Sequence, residues 1–469
     1  MLFGTKSGIS SIHRTNHVSL DWRLPMDAVF LARLQFALTI GFHFLFPPIT
    51  IGLAWLLVIV ELLGWRKKDE IYARVGAFFA KILGLTFAVG VATGIVMEFQ
   101  FGTNWAQYSK FVGDIFGAPL AAEGVFAFFL ESGFLGLYLF GRNRVSRGVH
   151  WFSCLMVAVG ATISAFWIIV ANSWQQTPAG YVVRNGRAEL TSFYDAVFNP
   201  STVIRYLHTV DAALITGAFF MAGIAAYYLL KQREADFAKR AMRVAVVFGL
   251  IVSLLELMPF GHEHARQVAR SQPEKFAAIE GLYFSATGAP MVFFAVPTTE
   301  PPTLHANIEI PGLLSWLAFG DPAAPIKGIN EFPADQIPPL WLTFVSFHNM
   351  VVLGMYFILV MAIAAYKLYR KTLWNSPGFL RLLMISIPLP LAACQLGWIA
   401  TEVGRQPWIV YKLMRTSEAA SITVSAQEIL FSLVLFGFIY LCLGMLYVYL
   451  FVRKVKYGPA PVDAKEVIA

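Results

Sequence analysis

The chain has 469 residues, of which 57% are hydrophobic and only 14% charged, against about a quarter charged in an ordinary soluble protein. So few ionised side chains cannot cover the roughly three soluble domains such a length would give, whereas bilayer-spanning helices need about 20 apolar residues each and almost no charge. The net charge of +8 does not indicate nucleic acid, because Lys and Arg are spread over short connections instead of being gathered on one face.

Residues 1–28 read as a polar N-terminal extension: the first 25 hold no apolar core of signal-peptide length, so the first helix is expected to be uncleaved. Nine apolar segments follow, near residues 29–63, 76–100, 119–141, 150–172, 207–230, 243–260, 341–366, 379–400 and 427–452. The fold class is therefore an all-α polytopic membrane protein with nine transmembrane helices, six within 29–260 and three within 341–452. Twenty Lys and Arg residues lie in the first, third, fifth and seventh connections and in the tail, 453–469. Only seven lie in the second, fourth and eighth, with Arg184, Arg187 and Arg205 in the fourth. Short cytoplasmic loops accumulate positive charge, so the N-terminus is expected to be periplasmic and the C-terminus cytoplasmic. The sixth connection, 261–340, is long, Pro-rich and on the outer side. Its mixture of aromatic, apolar and charged residues, as in EKFAAIEGLYF, argues against simple disorder. The three cysteines, Cys154, Cys394 and Cys442, fall inside apolar segments, with no CxxC and no CxxCH haem-attachment motif.

The informative residues are those a bilayer penalises: His43, His208 and His348, with Glu98, Glu123, Glu131, Glu256, Glu402, Arg33 and Lys81. Each alone has a plainer reading, as a snorkelling helix-end residue or an interhelical hydrogen bond. His43 precedes Pro47-Pro48, which must kink or open the helix and make room for something bulky. His208 lies near the outer end of the fifth segment and Met350 near that of the seventh. An imidazole and a thioether facing each other form a low-spin haem ligand pair, although Met in helices is commonly core filler. His348, about 200° around the helix from Met350, is an alternative ligand by spacing alone.

Glu123 and Glu131 are eight residues apart on one helix, about 12 Å along its axis and about 80° around it, an arrangement that can pass protons along a half-face. Ser132, Ser164 and Asn172 could hydrogen-bond in the same path; interhelical bonding is their plainer role. In GWIATEVGRQPW, 397–408, Glu402 can ligate a metal, Arg405 can clamp haem propionates, and Trp398, one turn before Glu402, can lie beside a porphyrin. A capping Glu–Arg pair with an interfacial Trp is the ordinary alternative.

With these residues in view, the chain resembles subunit I of cytochrome bd-type quinol oxidases, in a short-loop form similar to the cyanide-insensitive oxidases. RLQFALTIGFHFLFPPITIG (33–52), MEFQFGTNW (97–105), VGDIFGAPLAAEG (112–124), FFLES (128–132) and GRQPW (404–408) carry the resemblance, which covers Leu31 to Phe451. It implies a low-spin haem b on His208 and Met350, and a high-spin haem b and a haem d, or a further haem b in its place, on His43 and Glu402. It further implies Glu123 beside the oxygen-reacting haem and Glu131, with Ser132 and Ser164, on a cytoplasmic proton path. Trp398 would lie between haems, and Arg405 and Arg33 near propionates. Lys275 and Glu280 match the pair that binds and deprotonates quinol, making 261–340 a periplasmic quinol-binding loop. The partners implied are a subunit II, a small single-helix subunit, membrane quinol and O2. The location implied is the bacterial cytoplasmic (inner) membrane. One departure is His348, where the family commonly has Arg two residues before the axial Met.

The expected function is electron transfer from membrane quinol to oxygen, generating proton motive force without pumping. A haem–copper oxidase would need a cluster of histidines, and a quinol:cytochrome c cytochrome b would need recurring His pairs; neither is present in the sequence. A proton-coupled transporter is the alternative. It would explain the buried Glu and Arg but not His43, His208, Met350 and GRQPW, and no internal repeat of inverted halves is visible.

Overall fold

The structure is a computed structural model describing residues 27–299 and 302–460, so nearly all of the N-terminal extension and residues 461–469 of the tail lie outside the described residues. Among the described residues nine helices are long and apolar enough to cross a membrane: Ala28–Lys67, Glu70–Thr103, Ala106–Phe140, Arg147–Gln176, Thr202–Leu230, Ala235–Ser271, Leu340–Tyr369, Pro377–Val403 and Ala426–Tyr457. They are taken below as spans one to nine.

The spans outrun the apolar segments at several ends. The third begins at Ala106, thirteen residues before the apolar run at 119, and the sixth continues to Ser271, inside the stretch assigned to the loop. Hydropathy registers only the part of a helix that lipid touches, while helical hydrogen bonding propagates into the interface wherever caps and packing allow. Asp69 caps the second span by accepting from Ile71 N at 2.9 Å, and Ser425 with Glu428 forms a capping box at the start of the ninth.

Four spans are interrupted. The first breaks at Phe44–Phe46, where Phe46 N bonds back to His43 O at 3.1 Å and Pro47 restarts the helix at a position that requires no N–H. The third carries a π segment at Glu123–Phe128 and the sixth another at Glu256–Gly261, where Met258 leaves helical dihedrals before Pro259. The eighth breaks between Ile385 and Leu389. There the Ser386 hydroxyl donates to Leu382 O at 2.7 Å, absorbing a backbone acceptor.

The bundle is organised around the fifth span, whose apolar window is 78% buried against 11% for the ninth. Spans one and five touch backbone to backbone: a Cβ on Gly52 would lie 2.8 Å from Gly217 Cα and collide with Ala213 O. At the end of the bundle carrying the first, third and fifth connections, buried Glu61 accepts from Tyr138 Oη at 3.0 Å and pairs with Arg142, locking spans one and three together.

The loop after the sixth span is folded. Helix Pro273–Glu280 is closed by Gly281 at φ 65°, and an antiparallel hairpin pairs Met291–Thr299 with Pro302–Ile310. Gly281 is doubly constrained, because a Cβ there would also lie 2.9 Å from the Phe344 ring. Short two-stranded ribbons at Tyr181–Arg184/Arg187–Leu190 and Trp408–Val410/Met414–Arg415 complete the connections on that side.

The Gly52–Gly217 contact yields a stability prediction. Gly217→Leu should force spans one and five apart at a cost of about 1–3 kcal/mol, seen as a lower Tm by tryptophan fluorescence in detergent. An unchanged Tm would mean the two backbones are not held in contact.

Candidate functional site

The eighth span ends at Val403, and the turn after it carries GRQPW. Glu402 Oε1 accepts from Asn172 Nδ2 at 3.0 Å and its Oε2 pairs with Arg405. Arg405 Nη1 donates to Gln175 Oε1 at 3.3 Å, and Gln175 Nε2 donates to Tyr108 Oη at 2.5 Å. On the other flank Arg205 donates to Asn172 Oδ1 at 2.5 Å and to Ser173 Oγ at 3.3 Å. The segment NSWQQ at the end of the fourth span thus supplies the polar groups that link the fifth span to the eighth.

Lys275, from the loop helix, reaches into this network. Its Nζ donates to Thr401 O at 3.1 Å, Gln176 Oε1 at 3.2 Å and Gln272 Oε1 at 3.4 Å. The glycine of GRQPW makes this possible, since a Cβ on Gly404 would come 3.0 Å from Lys275 Cε. Burial and the neighbouring Arg205 hold the Lys275 amine well below the usual lysine range.

The charges do not balance. Arg205, Lys275 and Arg405 are all buried and all within electrostatic reach of Glu402, the one carboxylate among them. Around the same centre the buried Nε2 atoms of Gln176 and Gln272 have no protein partner. Glu402 retains 35% exposure although ringed by protein, so it faces an internal space. Excess buried cation with unanswered donors calls for an anion.

Glu280 stands apart from this cluster. It lies five residues after Lys275 on the loop helix, about 140° around it, and makes no ion pair among the described residues. Burial pushes its carboxyl up to about 8, and its Oε2 has no protein partner. Below Lys275, Glu274 accepts from Tyr411 Oη at 2.8 Å and lies 3.5 Å from Lys412 Nζ, which ties the loop helix to the turn after GRQPW.

His43 sits at the break of the first span with Nδ1 3.0 Å from Thr93 Oγ1 and its ring over Gly94, where a Cβ would lie 3.2 Å from Cε1. The bond is to a neighbouring helix and not to a carbonyl freed by the kink. With Nδ1 held, Nε2 is the nitrogen left for a ligand. Trp398 meets Phe44 edge to face at 5.3 Å, and Gln395 Nε2 donates to Gly41 O at 2.9 Å. These contacts bring the His43 break against the helix that carries Trp398 and Glu402.

His208 is on the fifth span one turn after Arg205, with Nδ1 2.8 Å from Glu256 Oε1. Met350 crosses toward the eighth span, where only a glycine leaves room: a Cβ on Gly397 would lie 2.9 Å from Met350 Sδ. His348 has both ring nitrogens at backbone carbonyls, Phe344 O at 3.0 Å and Val292 O at 3.1 Å, and stacks on Phe344. Met350 is therefore the freer of the two candidate ligands.

The Glu123–Glu131 geometry differs from ideal-helix arithmetic. The π segment between them inserts one residue, which reduces the angle from about 80° to about 20° and puts both carboxyls nearly on one line. Ser164 Oγ donates to Glu123 Oε1 at 2.6 Å, and buried Glu131 packs beneath Gly160 of the fourth span. Ser132 bonds Phe128 O of its own helix at 2.8 Å, and Asn172 belongs to the Glu402 network instead of the Glu123 path. Arg33 is exposed on the first span. Arg205, counted above as a connection charge, is a buried residue of the fifth span. The signal in the sequence was its spacing, three residues before His208.

Nine spans among the described residues, with buried Arg205, Lys275 and Arg405 gathered around Glu402 beneath a folded loop, define an integral membrane protein with a cationic internal site. The family model for cytochrome bd terminal oxidase subunit I matches residues 31–459. The chain is 42% identical to cytochrome bd ubiquinol oxidase subunit 1 of Bacillus subtilis (strain 168), over 92% of this chain and 94% of that one. It is 35% identical to cytochrome bd-II ubiquinol oxidase subunit 1 of Escherichia coli (strain K12), over 94% and 98%. Among solved structures, the bd oxidase from Geobacillus thermodenitrificans superposes with a TM-score of 0.86 at 31% identity, covering 92% of this chain and 99% of that chain. The chain belongs to the cytochrome bd terminal oxidase subunit I family.

The family implies haem, and the residues fit it. Haem propionates would answer the excess of Arg205 and Arg405 over Glu402 and give Lys275 an anion to donate to, and His43 offers an imidazole nitrogen while its other nitrogen is held. Arg205→Gln should therefore weaken haem retention, by on the order of tenfold in affinity, with Arg205→Lys retaining more. The haem-to-protein ratio after extended detergent washing measures this, and an unchanged ratio in Arg205→Gln would remove Arg205 from the site.

Proposed function

We propose that this chain is the haem-bearing subunit of a terminal respiratory quinol oxidase, a quinol:O2 oxidoreductase in the bacterial inner membrane. The observation that carries the assignment of the site is the convergence of Arg205, Lys275 and Arg405 on Glu402 beneath the loop helix. In this reading His208 and Met350 hold a low-spin haem b. His43 and Glu402 hold the two haems of a di-haem site, one a high-spin haem b and the other a haem d or a further haem b in its place. Bound haems supply the electron carriers and the oxygen-reducing iron. Everything else is done by the chain.

Quinol docks against the loop helix, where Glu280 receives a hydroxyl proton and Lys275 exchanges one of its bonds to Thr401 O, Gln176 or Gln272 for one to a quinol oxygen. Glu280 suits a base at neutral pH, since its carboxyl sits near 8 and not in the usual carboxylate range. That proton leaves outward. On the opposite path Glu131 and Glu123, aligned by the π segment, bring protons from the cytoplasm to the oxygen-reacting haem, with Ser164 holding Glu123. Taking protons from one side and releasing them on the other stores energy without a pump. Trp398 would lie between the haems, and Arg405 would hold propionates. The periplasmic N-terminus and cytoplasmic C-terminus follow from the distribution of basic residues. The apolar faces of the seventh to ninth spans, little buried by this chain, suit subunit II and a small single-helix subunit. Neither the fold nor the comparisons support a proton-coupled transporter.

Purified complex should show a Soret band and consume one O2 for every two quinols added, as read with an oxygen electrode; a colourless preparation that moves substrate would sink the assignment. His208→Ala should abolish the low-spin haem b band while the di-haem bands persist; retention of that band would reassign the ligand. Because the Glu280 carboxyl is raised, it is protonated below about pH 8 and ionises above. Quinol kcat/KM should therefore climb with pH through about 8, and Glu280→Gln should flatten that limb and lower the rate by roughly 10²-fold or more.

A further inference from the structure

The sixth span leaves α-helical geometry at one place, the π segment that begins with Glu256. Glu256 itself keeps right-handed helical dihedrals, before the departure at Met258, and its Oε1 lies 2.8 Å from His208 Nδ1 of the fifth span. The contact is off the ideal line of an N–H bond in this geometry, and Nδ1 has no other partner. Behind it Asp211, buried at 3% exposure and three residues after His208 on the same span, is in hydrogen-bond reach of the Glu256 carboxyl. Glu256 Oε2 and Asp211 Oδ2 are buried without another partner. The His264 ring, past the π segment, lies 4.9 Å from the His208 ring and covers its other flank.

We propose that Glu256 is a positioning residue for His208: its carboxylate accepts a hydrogen bond from Nδ1–H, fixing the tautomer that presents Nε2 to the low-spin haem, and Asp211, as the neutral acid, donates to the Glu256 carboxylate and fixes its rotamer. A carboxylate on the far nitrogen of a ligating imidazole makes it a stronger donor, and so favours the ferric over the ferrous state. Glu256 thus sets the potential of the first electron acceptor without touching haem. The proposal rests on the reading of His208 as an iron ligand, and the experiment separates the two.

The test is potentiometric titration of the low-spin band in the intact complex, with the haem-to-protein ratio and di-haem bands recorded alongside. In Glu256→Gln, which keeps size but cannot accept as a carboxylate, the ferrous-to-ferric ratio at a fixed ambient potential should rise by roughly tenfold, an upward midpoint shift of about 59 mV. Glu256→Ala should show at least that shift and a reduced low-spin fraction, with the di-haem bands undiminished. If neither assembles, Glu256→Asp, which draws the carboxylate back by one methylene, takes their place with the same direction of shift. An unchanged low-spin midpoint in assembled variants overturns the proposal. If His208→Ala keeps the low-spin band, the ligand reading has failed instead; if it loses the band while the Glu256 variants keep the wild-type midpoint, only the role of Glu256 has failed.

Discussion

A bilayer has no water to answer a broken backbone hydrogen bond, so every departure from α-helix at membrane depth has to be closed inside protein or against a cofactor. Three of the four interruptions in this bundle coincide with a chemistry-bearing residue. His43 stands at the end of the first half-helix, Glu123 opens one π segment and Glu256 opens another. Each distortion lies beside a chemical contact: the break sets His43 against Thr93, one π segment aligns Glu123 with Glu131, and the other begins at the carboxylate that lies against His208.

The second organising element is the polar end of the fourth span. Asn172, Ser173, Gln175 and Gln176 are neutral, and neutrality is what lets them mediate among Glu402, Arg405, Arg205 and Lys275 without adding charge. Glycines do the complementary work by removing bulk: Gly404 admits Lys275, Gly397 admits Met350 and Gly94 admits His43. Polar mediators and absent side chains together let groups from the third, fourth, fifth and eighth spans and the loop helix meet within hydrogen-bond distances.

Much of this was legible in the sequence. Nine spans follow from hydropathy, because length and apolarity are one-dimensional properties. His43, Glu402 and Trp398 stood out because a bilayer penalises or marks them, and the structure brings their helices together. What the sequence hid depends on local deviation from regularity. The angle between Glu123 and Glu131 assumed 100° per residue, and one inserted residue changed it. Arg205 was read as a connection charge because hydropathy cannot register a helix that begins in polar residues. Asn172 was placed with the wrong partners because its distance along the chain from Glu402 carries no information on their contact.

The excess of buried cation has a consequence for stability. Without haem, Arg205 and Arg405 share the single carboxylate of Glu402 in a medium that strongly disfavours unpaired charge, and Lys275 is pushed toward its neutral form. Binding of an anionic cofactor would therefore stabilise this end of the bundle by answering that charge. The same charge arrangement that would hold the cofactor thus ties the stability of the folded chain to its occupancy, so that cofactor binding and folding become linked equilibria.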